Sequence, residues 1–277
     1  MGEKARKKMS GGLTYLTLIL GSFIMVIPFI WMILTSFKTY KETVSLPIQW
    51  LPAEWKFDNY ATVLNKLDFL RYYGNTIVVT ILTVVGMTFF ASLAAFTFAR
   101  MKFPGQKWLF SALLIVYMVP PQMTMIPKYM MIAKLGWVDT LAGIIAPNLF
   151  SVYTLFMLNQ FFVSLPHDFD DAAKIDGCSF FRIYWSIDMP LCKNGLIAIT
   201  VLNVLWSWND LLWPLIATST DRMRVLSVAI ASLQSSAGTE YQLLMAAGVL
   251  AVLPMLVLYG FCQHYFIEGL SSAGVKG

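Results

Sequence analysis

The chain has 277 residues, of which 58% are hydrophobic and 13% are charged, and its mean hydropathy is +0.66. Soluble domains carry about 25% charged residues, so this composition excludes an ordinary soluble domain and places most of the chain in lipid. The net charge of +5 comes from basic residues scattered between apolar runs, which excludes a nucleic-acid-binding face. Cys178, Cys192 and Cys262 are widely spaced, so they predict neither a disulfide framework nor a metal site.

A basic N-terminus leads into the first apolar segment. Four basic residues among the first eight precede an apolar run at residues 13–34. A signal peptide starts in a similar way, but its apolar core is about 7–15 residues long and precedes a cleavage site of small residues. We therefore predict a tail at residues 1–12 and a retained transmembrane helix at residues 13–36.

Five further apolar runs are long enough to cross a bilayer, whose hydrocarbon core takes about 20 residues of helix. The six predicted spans are 13–36, 75–99, 107–126, 140–162, 195–217 and 244–266. This pattern predicts an all-α integral membrane protein with six transmembrane helices. An even number of spans places both termini on one side of the membrane.

Lysine and arginine orient the predicted helices, because the cytoplasmic flanks of membrane helices are enriched in these residues. Their density is highest in the N-terminal tail and in residues 100–107. We therefore predict cytoplasmic tails, a cytoplasmic loop and an external loop around a five-helix core. The predicted boundaries are 1–12 and 267–277 for the tails, 163–194 for the cytoplasmic loop, 37–74 for the external loop and 75–266 for the core.

Two features interrupt the simple helical pattern. Within the external loop, recurring aromatic residues predict a short interfacial helix at Phe57–Tyr73.

Prolines occur in five of the six predicted spans, and each removes a backbone donor and frees the carbonyl four residues earlier. They are Pro28, Pro120 and Pro121, Pro147, Pro214 and Pro254. These prolines are explained either by ordinary kinks in a helix bundle or by broken helices that gate a central path.

Motifs for catalysis are missing from the sequence. It contains no GxxxxGK[ST] phosphate loop, no HExxH and no GxSxG. Its two histidines, His167 and His264, lie in a polar loop and at the end of a span, where surface or interfacial positions are expected. The chain is therefore predicted not to be an enzyme and to bind no metal or other cofactor.

The polar stretch from Leu165 to Leu191 has more internal order than a simple connection requires. Pro166 and Asp168 predict a helix start, and three aspartates in its first turn favour the positive end of the helix dipole. Gly177 is suited to a left-handed cap that turns the chain, and Pro190 is expected to end the stretch. It is either an amphipathic loop on the membrane surface or a short helix presented to a cytosolic partner.

Residues in this stretch resemble the EAA loop of permease subunits of ABC importers. The family pattern places EAA, then Gly, then Ile-x-Leu-Pro at fixed spacings. The matching residues are Asp171-Ala172-Ala173, Gly177, Ile187 and Pro190. Asp171 replaces the usual Glu and Met189 the usual Leu, and both changes preserve the chemistry.

Two further stretches resemble carbohydrate permeases of this family. Trp208–Pro214 is similar to their fifth-span signature, and the tail Gly269–Gly277 is similar to that of the maltose-transporter-type second permease. The tail is either disordered or directed toward an ATPase. Alternatives to an oligosaccharide are a monosaccharide and a polyol-like solute such as a glycerol phosphate.

The resemblance implies a type I ABC importer permease fold in a bacterial or archaeal inner membrane. It implies a heterodimer with a second permease, two ATPase subunits that bind ATP and Mg, and an extracytoplasmic solute-binding protein that delivers a sugar. Membrane lipid is a further partner, and nucleic acid is not. The loop 166–190 would couple to the ATPase through Asp171, Ala172, Ala173, Asp176, Gly177, Ile187 and Pro190. A stand-alone secondary transporter is disfavoured, because it would be expected to carry more intramembrane ionisable residues.

Asp210 is the one acidic residue inside a predicted span. Intramembrane charges are costly and usually face a cavity or a partner, and Pro214 frees the carbonyl of Asp210. It is either an interfacial residue near the outer headgroups or part of a translocation pathway. In the second interpretation Asn203, Asn209 and Asp210 hydrogen-bond sugar hydroxyls and Trp208 stacks on the sugar.

Overall fold

A computed structural model of the chain describes residues 3–234 and 238–274, with side chains described for 14–234 and 238–263. All regular elements in these ranges are helical. The first half contains α1 Glu3–Ser36, α2 Tyr40–Val44, α3 Asp58–Lys66, α4 Phe69–Arg100, α5 Gln106–Tyr117, a 3-10 turn Pro121–Thr124 and α6 Met125–Lys134. The second half contains α7 Leu141–Ile145, a 3-10 turn Ala146–Asn148, α8 Val152–Ser164, α9 Asp168–Ile175, α10 Phe180–Ile183, a π-helical turn Tyr184–Asp188, α11 Met189–Leu191, α12 Lys193–Asn209, α13 Leu212–Ala217, α14 Leu226–Ala231 and α15 Tyr241–Gly274.

Three helices are long and apolar enough to cross a membrane without a break, namely Thr14–Ser36, Phe69–Arg100 and Tyr241–Gln263. Three bent helix pairs raise the number to six if each pair is one span. The pairs are Gln106–Tyr117 with Pro121–Lys134 at 95°, Leu141–Asn148 with Val152–Ser164 at 43°, and Phe180–Leu191 with Lys193–Asn209 at 83°. Six apolar spans were predicted, with either kinks or breaks at their prolines, and the structure has six hydrophobic segments, three of which are bent pairs.

The boundaries show where prolines break the helices. The 95° bend falls at Pro120 and Pro121, and the 43° bend follows Pro147. Pro28 and Pro254 instead lie inside the continuous helices α1 and α15. At both ends of the chain the helix reaches into a predicted tail, because α1 begins at Glu3 and α15 ends at Gly274. Residues 1–2 and 275–277 of the predicted tails lie outside the described residues, and the side chains of 267–274 are not described.

The described residues form two compact units, one of residues up to Phe69 with Ile230–Leu253, the other of Leu70–Ala229 with the residues from Pro254. In the first unit, the loop after α1 is held by polar side chains. The Asn59 amide donates to the carbonyls of Ser36 and Lys38 at 2.8 and 2.9 Å. The buried Lys38 ammonium donates to the Gln49 carbonyl at 2.5 Å and lies 4.0 Å from the centre of the Trp31 ring.

The predicted interfacial helix at Phe57–Tyr73 is not continuous. α3 ends at Lys66, Leu67 is extended with φ −112° and ψ 136°, and α4 begins at Phe69. The side chains of Leu67 and Phe69, on either side of this break, are buried. The aromatic pattern of the sequence does not reveal the break.

In the second unit, the core joins α4, α8 and α12 to the loop that contains α9. Its members are small or apolar and pack into one cluster of buried residues. They are Ala91, Ala95, Phe96, Leu155, Leu158, Phe162, Ala173, Ile183, Tyr184, Cys192 and Ile199. Two buried hydrogen bonds cross this core, from the Asn159 amide to the Ala95 carbonyl at 3.1 Å and between the Ser92 and Tyr184 hydroxyls at 2.7 Å.

Asp139 joins the segment after α6 to the segment after α13. Its backbone is left-handed with φ 58°, which is uncommon for a residue other than glycine. Its carboxylate accepts the Ser219 and Thr220 amides at 2.9 Å each and the Thr220 hydroxyl at 2.7 Å. These donors, led by the Thr220 amide, hold the pKa of Asp139 below its ordinary value.

Candidate functional site

The ordered stretch of the sequence folds as a short helix with a glycine cap. α9 begins at Asp168 and has acidic residues in its first turn, as the sequence predicts. Gly177 has φ +77°, and the amides of Gly177 and Cys178 donate to the carbonyls of Lys174 and Ala173 at 3.0 and 2.9 Å. This is the left-handed cap that the sequence predicts, and it closes the free carbonyls at the end of the helix.

At Gly177 the backbone conformation, and not the surrounding atoms, limits which residues can be substituted. A methyl group there would meet no atom within 4 Å, so Gly177→Ala tests the left-handed conformation alone. We expect the variant to lose about 1 kcal/mol of local stability, the usual cost of that conformation for an alanine. Gly177→Asn should lose less, because Asn tolerates this conformation. Hydrogen exchange of the α9 amides measures the difference, and equal exchange in the two variants would contradict the assignment.

α9 presents one face to its own chain and another outward. Asp170 and Ala173 are buried, whereas Asp171, Ala172 and Asp176 are exposed. Ile175 is also exposed, at 87%. Of the two alanines in the motif, Ala172 is therefore the one accessible to another protein, and Ala173 packs into the core of its own unit.

Pro190 lies close to the end of the stretch, as predicted. It is inside α11 Met189–Leu191, which follows directly on the π-helical turn Tyr184–Asp188, and the chain bends by 83° between Leu191 and the start of α12. Proline is tolerated in the first turn of a helix because the missing amide needs no partner there. Ile187 is half-buried and packs against the core cluster, and Pro190 is exposed.

Sequence reasoning missed the group that attaches α9 to the rest of the unit. The Arg100 side chain, at the last residue of α4, is 1% exposed and its Nε lies 3.3 Å from Asp170 Oδ2 and 3.2 Å from Asp188 Oδ2. The only sequence signals were a basic residue at the end of a span and an aspartate within Ile187-Asp188-Met189-Pro190. Neither signal says that the three side chains meet.

A polar cavity of about 450 Å³ lies in the same unit. It is lined by side chains from α4, α12 and the segments around α7, α13 and α14. They are Thr76, Val79, Thr83, Met87, Ile144, Asn148, Asn203, Trp206, Ser207, Asn209, Asp210, Pro214 and Val225. Three of the four residues predicted for a pathway therefore lie at one cavity.

Two buried polar groups at this cavity lack a partner among the described residues. Asn203 is 1% exposed, and its Oδ1 accepts from the Thr154 hydroxyl at 3.1 Å, while its Nδ2 has no hydrogen-bond partner. The Thr83 hydroxyl is likewise buried without a partner. Unpaired buried groups are costly, and both of these groups belong to residues that line the cavity.

Asp210 lies at a break in the chain, inside the predicted fifth span 195–217. α12 ends at Asn209, and Asp210 is extended with φ −64° and ψ 118° before α13 begins at Leu212. The Asp210 carboxylate accepts the Trp213 amide at 3.4 Å. Its carbonyl, freed by Pro214, accepts the Ser227 hydroxyl at 2.6 Å.

Trp208 does not lie at the polar cavity. It is 7% exposed and lines a separate apolar cavity, with its ring 5.9 Å from that of Tyr73. Residues two apart on an α-helix lie about 200° apart around its axis, so Trp206 is the tryptophan that faces the polar cavity. Trp206 is 52% exposed, and its ring centre is 4.9 Å from that of Tyr153.

Lys128 lies behind the cavity wall. Its ammonium donates to Asn148 Oδ1 at 2.7 Å and lies 4.2 Å from the centre of the Trp213 ring. Because Lys128 is bound to Asn148 and is not among the lining residues, the ionisable side chain that lines the described cavity is Asp210.

Much of the chain matches a known protein family. Residues 87–272 match the family described as the binding-protein-dependent transport system inner membrane component. The chain belongs to this family. The permease is therefore a transporter subunit of the inner membrane, as the sequence predicts, and in such systems ATP is hydrolysed by a separate ATPase.

Similar proteins include permeases named for several solutes. The arabinooligosaccharides transport system permease protein AraQ of Bacillus subtilis is 34% identical over 259 residues, covering 92% of this chain and 92% of AraQ. The diacetylchitobiose uptake system permease protein NgcG of Streptomyces coelicolor is 31% identical, covering 94% of this chain and 87% of NgcG. The sn-glycerol-3-phosphate transport system permease protein UgpE of Brucella abortus is 27% identical, covering 96% and 97%.

A solved structure confirms the predicted fold class. The permease is similar, with a TM-score of 0.79 and 21% identity, to a chain in the crystal structure of a bacterial ABC transporter involved in the import of the acidic polysaccharide alginate. The match covers 96% of the permease and 99% of that chain. The all-α fold predicted from the apolar runs, and the ABC importer permease fold implied by the family resemblance, are therefore confirmed.

Proposed function

We propose that the permease forms half of the translocation pore of an ATP-driven, binding-protein-dependent importer of an uncharged sugar or oligosaccharide. The observation that carries the proposal is the polar cavity with unpaired groups on Asn203 and Thr83. Two of the relatives described above are named for oligosaccharide or disaccharide uptake, which supports the same class of solute.

The cavity lining fits a polyhydroxylated solute. Sugar hydroxyls both donate and accept, and the amides of Asn148, Asn203 and Asn209 offer both kinds of group. Trp206 adds an apolar face for the ring of a sugar. Ligand sites of this kind combine apolar walls with a few placed polar groups that fix orientation.

Charge favours a neutral sugar over a sugar phosphate. The Asp210 carboxylate is in the lining and would repel a phosphate, whereas the Lys128 ammonium, which would attract one, lies outside the lining. A phosphorylated polyol, for which the similar UgpE is named, is therefore the second candidate. Stimulation by a glycerol phosphate and not by neutral sugars would decide in its favour.

The exposed face of α9 supports a docking role for the loop 166–190. Asp171, Ala172 and Asp176 point outward from a helix whose other face is held by the core. In this proposal they contact an ATPase, while Ala173, Gly177, Ile187 and Pro190 shape and anchor the loop. Two such ATPase subunits bind ATP and Mg, a second permease completes the pore, and an extracytoplasmic binding protein delivers the sugar.

The docking role sets the orientation. An ATPase partner is cytosolic, so the loop 163–194 and both termini lie on the cytoplasmic side, and the loop 37–74 lies outside. Cysteine accessibility to a membrane-impermeant reagent measures this, with labelling expected from outside at Trp55→Cys and from inside at Lys174→Cys.

Reconstitution of the complete complex tests the proposed function. With binding protein present, neutral oligosaccharides should stimulate ATP hydrolysis and be transported, and glycerol phosphate should do neither. Ala172→Trp should reduce stimulated transport about tenfold or more, because a large side chain prevents close approach at the exposed face of α9. Ala61→Trp, an exposed alanine of α3 in the other unit, is the matched control. Full coupled transport by Ala172→Trp would contradict the docking role.

A further inference from the structure

A single arginine holds three segments of the chain around α9. Arg100 directs Nη1 to His167 Nδ1 at 3.0 Å and donates from Nη2 to the Leu165 carbonyl at 3.1 Å. Its Nε contacts the carboxylates of Asp170 and Asp188. The start of α9 and the π-helical turn are thereby fastened to the last residue of α4.

The two carboxylates have few other partners. Asp170 and Asp188 are 4% and 0% exposed at their side chains, and the Oδ1 atom of each is buried with no hydrogen-bond partner among the described residues. One guanidinium therefore faces two buried carboxyl groups, which also interact with each other. A buried charge is tolerated when it is paired, so both aspartates depend on Arg100 for their position.

The π-helical turn is attached to α4 at a second point. The Met189 amide donates to the Tyr184 carbonyl, which closes the wide turn. The Tyr184 hydroxyl hydrogen-bonds the Ser92 hydroxyl at 2.7 Å. Ser92 and Arg100 lie eight residues apart on α4, which corresponds to about 12 Å along its axis, so the turn cannot pivot about a single contact.

The same helix reaches the polar cavity. α4 is 32 residues long and contributes Thr76, Val79, Thr83 and Met87 to the cavity lining. An unbroken helix transmits displacement along its length better than a bent pair does, and coupling between distant sites is carried by rigid elements and packed contacts. α4 therefore contacts both α9 and the cavity.

We propose that Arg100, Asp170 and Asp188 form an ion latch through which movement of α9 is transmitted along α4 to the cavity, with Arg100 as its positioning residue. The proposal rests on the proposed docking of α9 to an ATPase. The latch requires the fork of a guanidinium, because three nitrogens of one side chain reach four groups on two stretches of chain, residues 165–170 and Asp188.

Hydrogen exchange in the assembled, nucleotide-free complex tests the attachment without any transport. Arg100→Met should speed exchange of the amides of residues 171–175 about tenfold or more. Lys102→Met, which removes an exposed lysine two residues away, should leave it unchanged. Arg100→Lys keeps the charge without the fork and should fall between these two. Exchange in Arg100→Met equal to that of the wild type would overturn the latch.

A triple variant that leaves no unpaired buried charge tests whether movement of α9 is transmitted to the cavity. Arg100→Met combined with Asp170→Asn and Asp188→Asn removes the cation together with both anions, so the permease should still assemble with its ATPase. We expect its ratio of sugar transported to ATP hydrolysed to fall about tenfold or more, with ATP hydrolysis retained. A wild-type ratio in this assembled triple variant would overturn the proposal.

The two levels of the proposal fail differently. If Ala172→Trp transports normally while exchange of α9 still depends on Arg100, the docking role fails and the attachment stands. If Ala172→Trp uncouples transport while the triple variant does not, the docking role stands and the latch fails.

Discussion

Gly143→Ala is expected to destabilise the permease by about 2–3 kcal/mol, the upper part of the usual range for overpacking a filled site. Gly143 is buried in α7, and a methyl group on it would overlap the carbonyl oxygen of Trp137. That carbonyl cannot swing away easily. It accepts the Thr140 hydroxyl at 2.7 Å, and the Trp137 amide donates to the Ile132 carbonyl at 2.8 Å.

The destabilisation should also reach the cavity, because Ile144 follows Gly143 directly and Asn148 lies one turn further. Thermal unfolding of the purified permease and sugar-stimulated ATP hydrolysis measure the two effects. Gly74→Ala is the matched control, because a methyl group there meets nothing within 4 Å and alanine favours a helix over glycine by about 1 kcal/mol. Equal unfolding temperatures for Gly143→Ala and the wild type would contradict this prediction, because they would show that the Trp137 carbonyl moves aside for the methyl group without loss of stability.

Loss of polar groups from the cavity is expected to lower transport more than it lowers stability. Asn203→Leu removes a buried donor and acceptor, and we expect kcat/KM for sugar transport to fall about 10–100-fold, as for the loss of one or two sugar hydrogen bonds worth 1–3 kcal/mol. Basal ATP hydrolysis should remain, because Asn203 lies on α12 away from the exposed face of α9.

Two threonines of α4 provide a matched pair for the same prediction. Thr80 and Thr83 are both buried with unpaired hydroxyls, but Thr83 lines the polar cavity and Thr80 lines the apolar one. Thr83→Val should lower kcat/KM about five- to tenfold. Thr80→Val should leave transport unchanged and preserve or raise stability, because it removes an unsatisfied buried hydroxyl. Equal effects of the two changes would exclude the polar cavity from the pathway.

The parts of the loop predicted correctly depend on local chemistry. A helix start at Asp168 and a left-handed cap at Gly177 follow from the dipole and from the steric freedom of glycine, both of which act over a few neighbouring residues. Six apolar segments follow from the length of helix needed to cross a bilayer. None of these requires knowledge of what the residues touch.

The cavity was predicted in part. Asn203, Asn209 and Asp210 lie together as expected, but Trp208 faces the opposite side of α12 and Trp206 takes its place. The sequence predicted a kink or a break in the span 195–217 from Pro214, but it could not place the break at Asp210 or the hydrogen bond from Ser227 that stabilises the freed carbonyl. A proline in the sequence shows which backbone carbonyl loses its helical hydrogen bond. It does not show which donor the carbonyl then accepts from.

By itself the sequence determined that this is a six-segment membrane permease with an ordered docking-like loop, since hydropathy, spacing and turn chemistry are properties of short stretches. Only the tertiary structure decided which face of α9 is exposed, where the helices bend, and that Arg100 meets Asp170 and Asp188. Arg100 is 70 positions from Asp170 and 88 positions from Asp188, and a pairing between charges so far apart depends on how the helices pack, which no local pattern records.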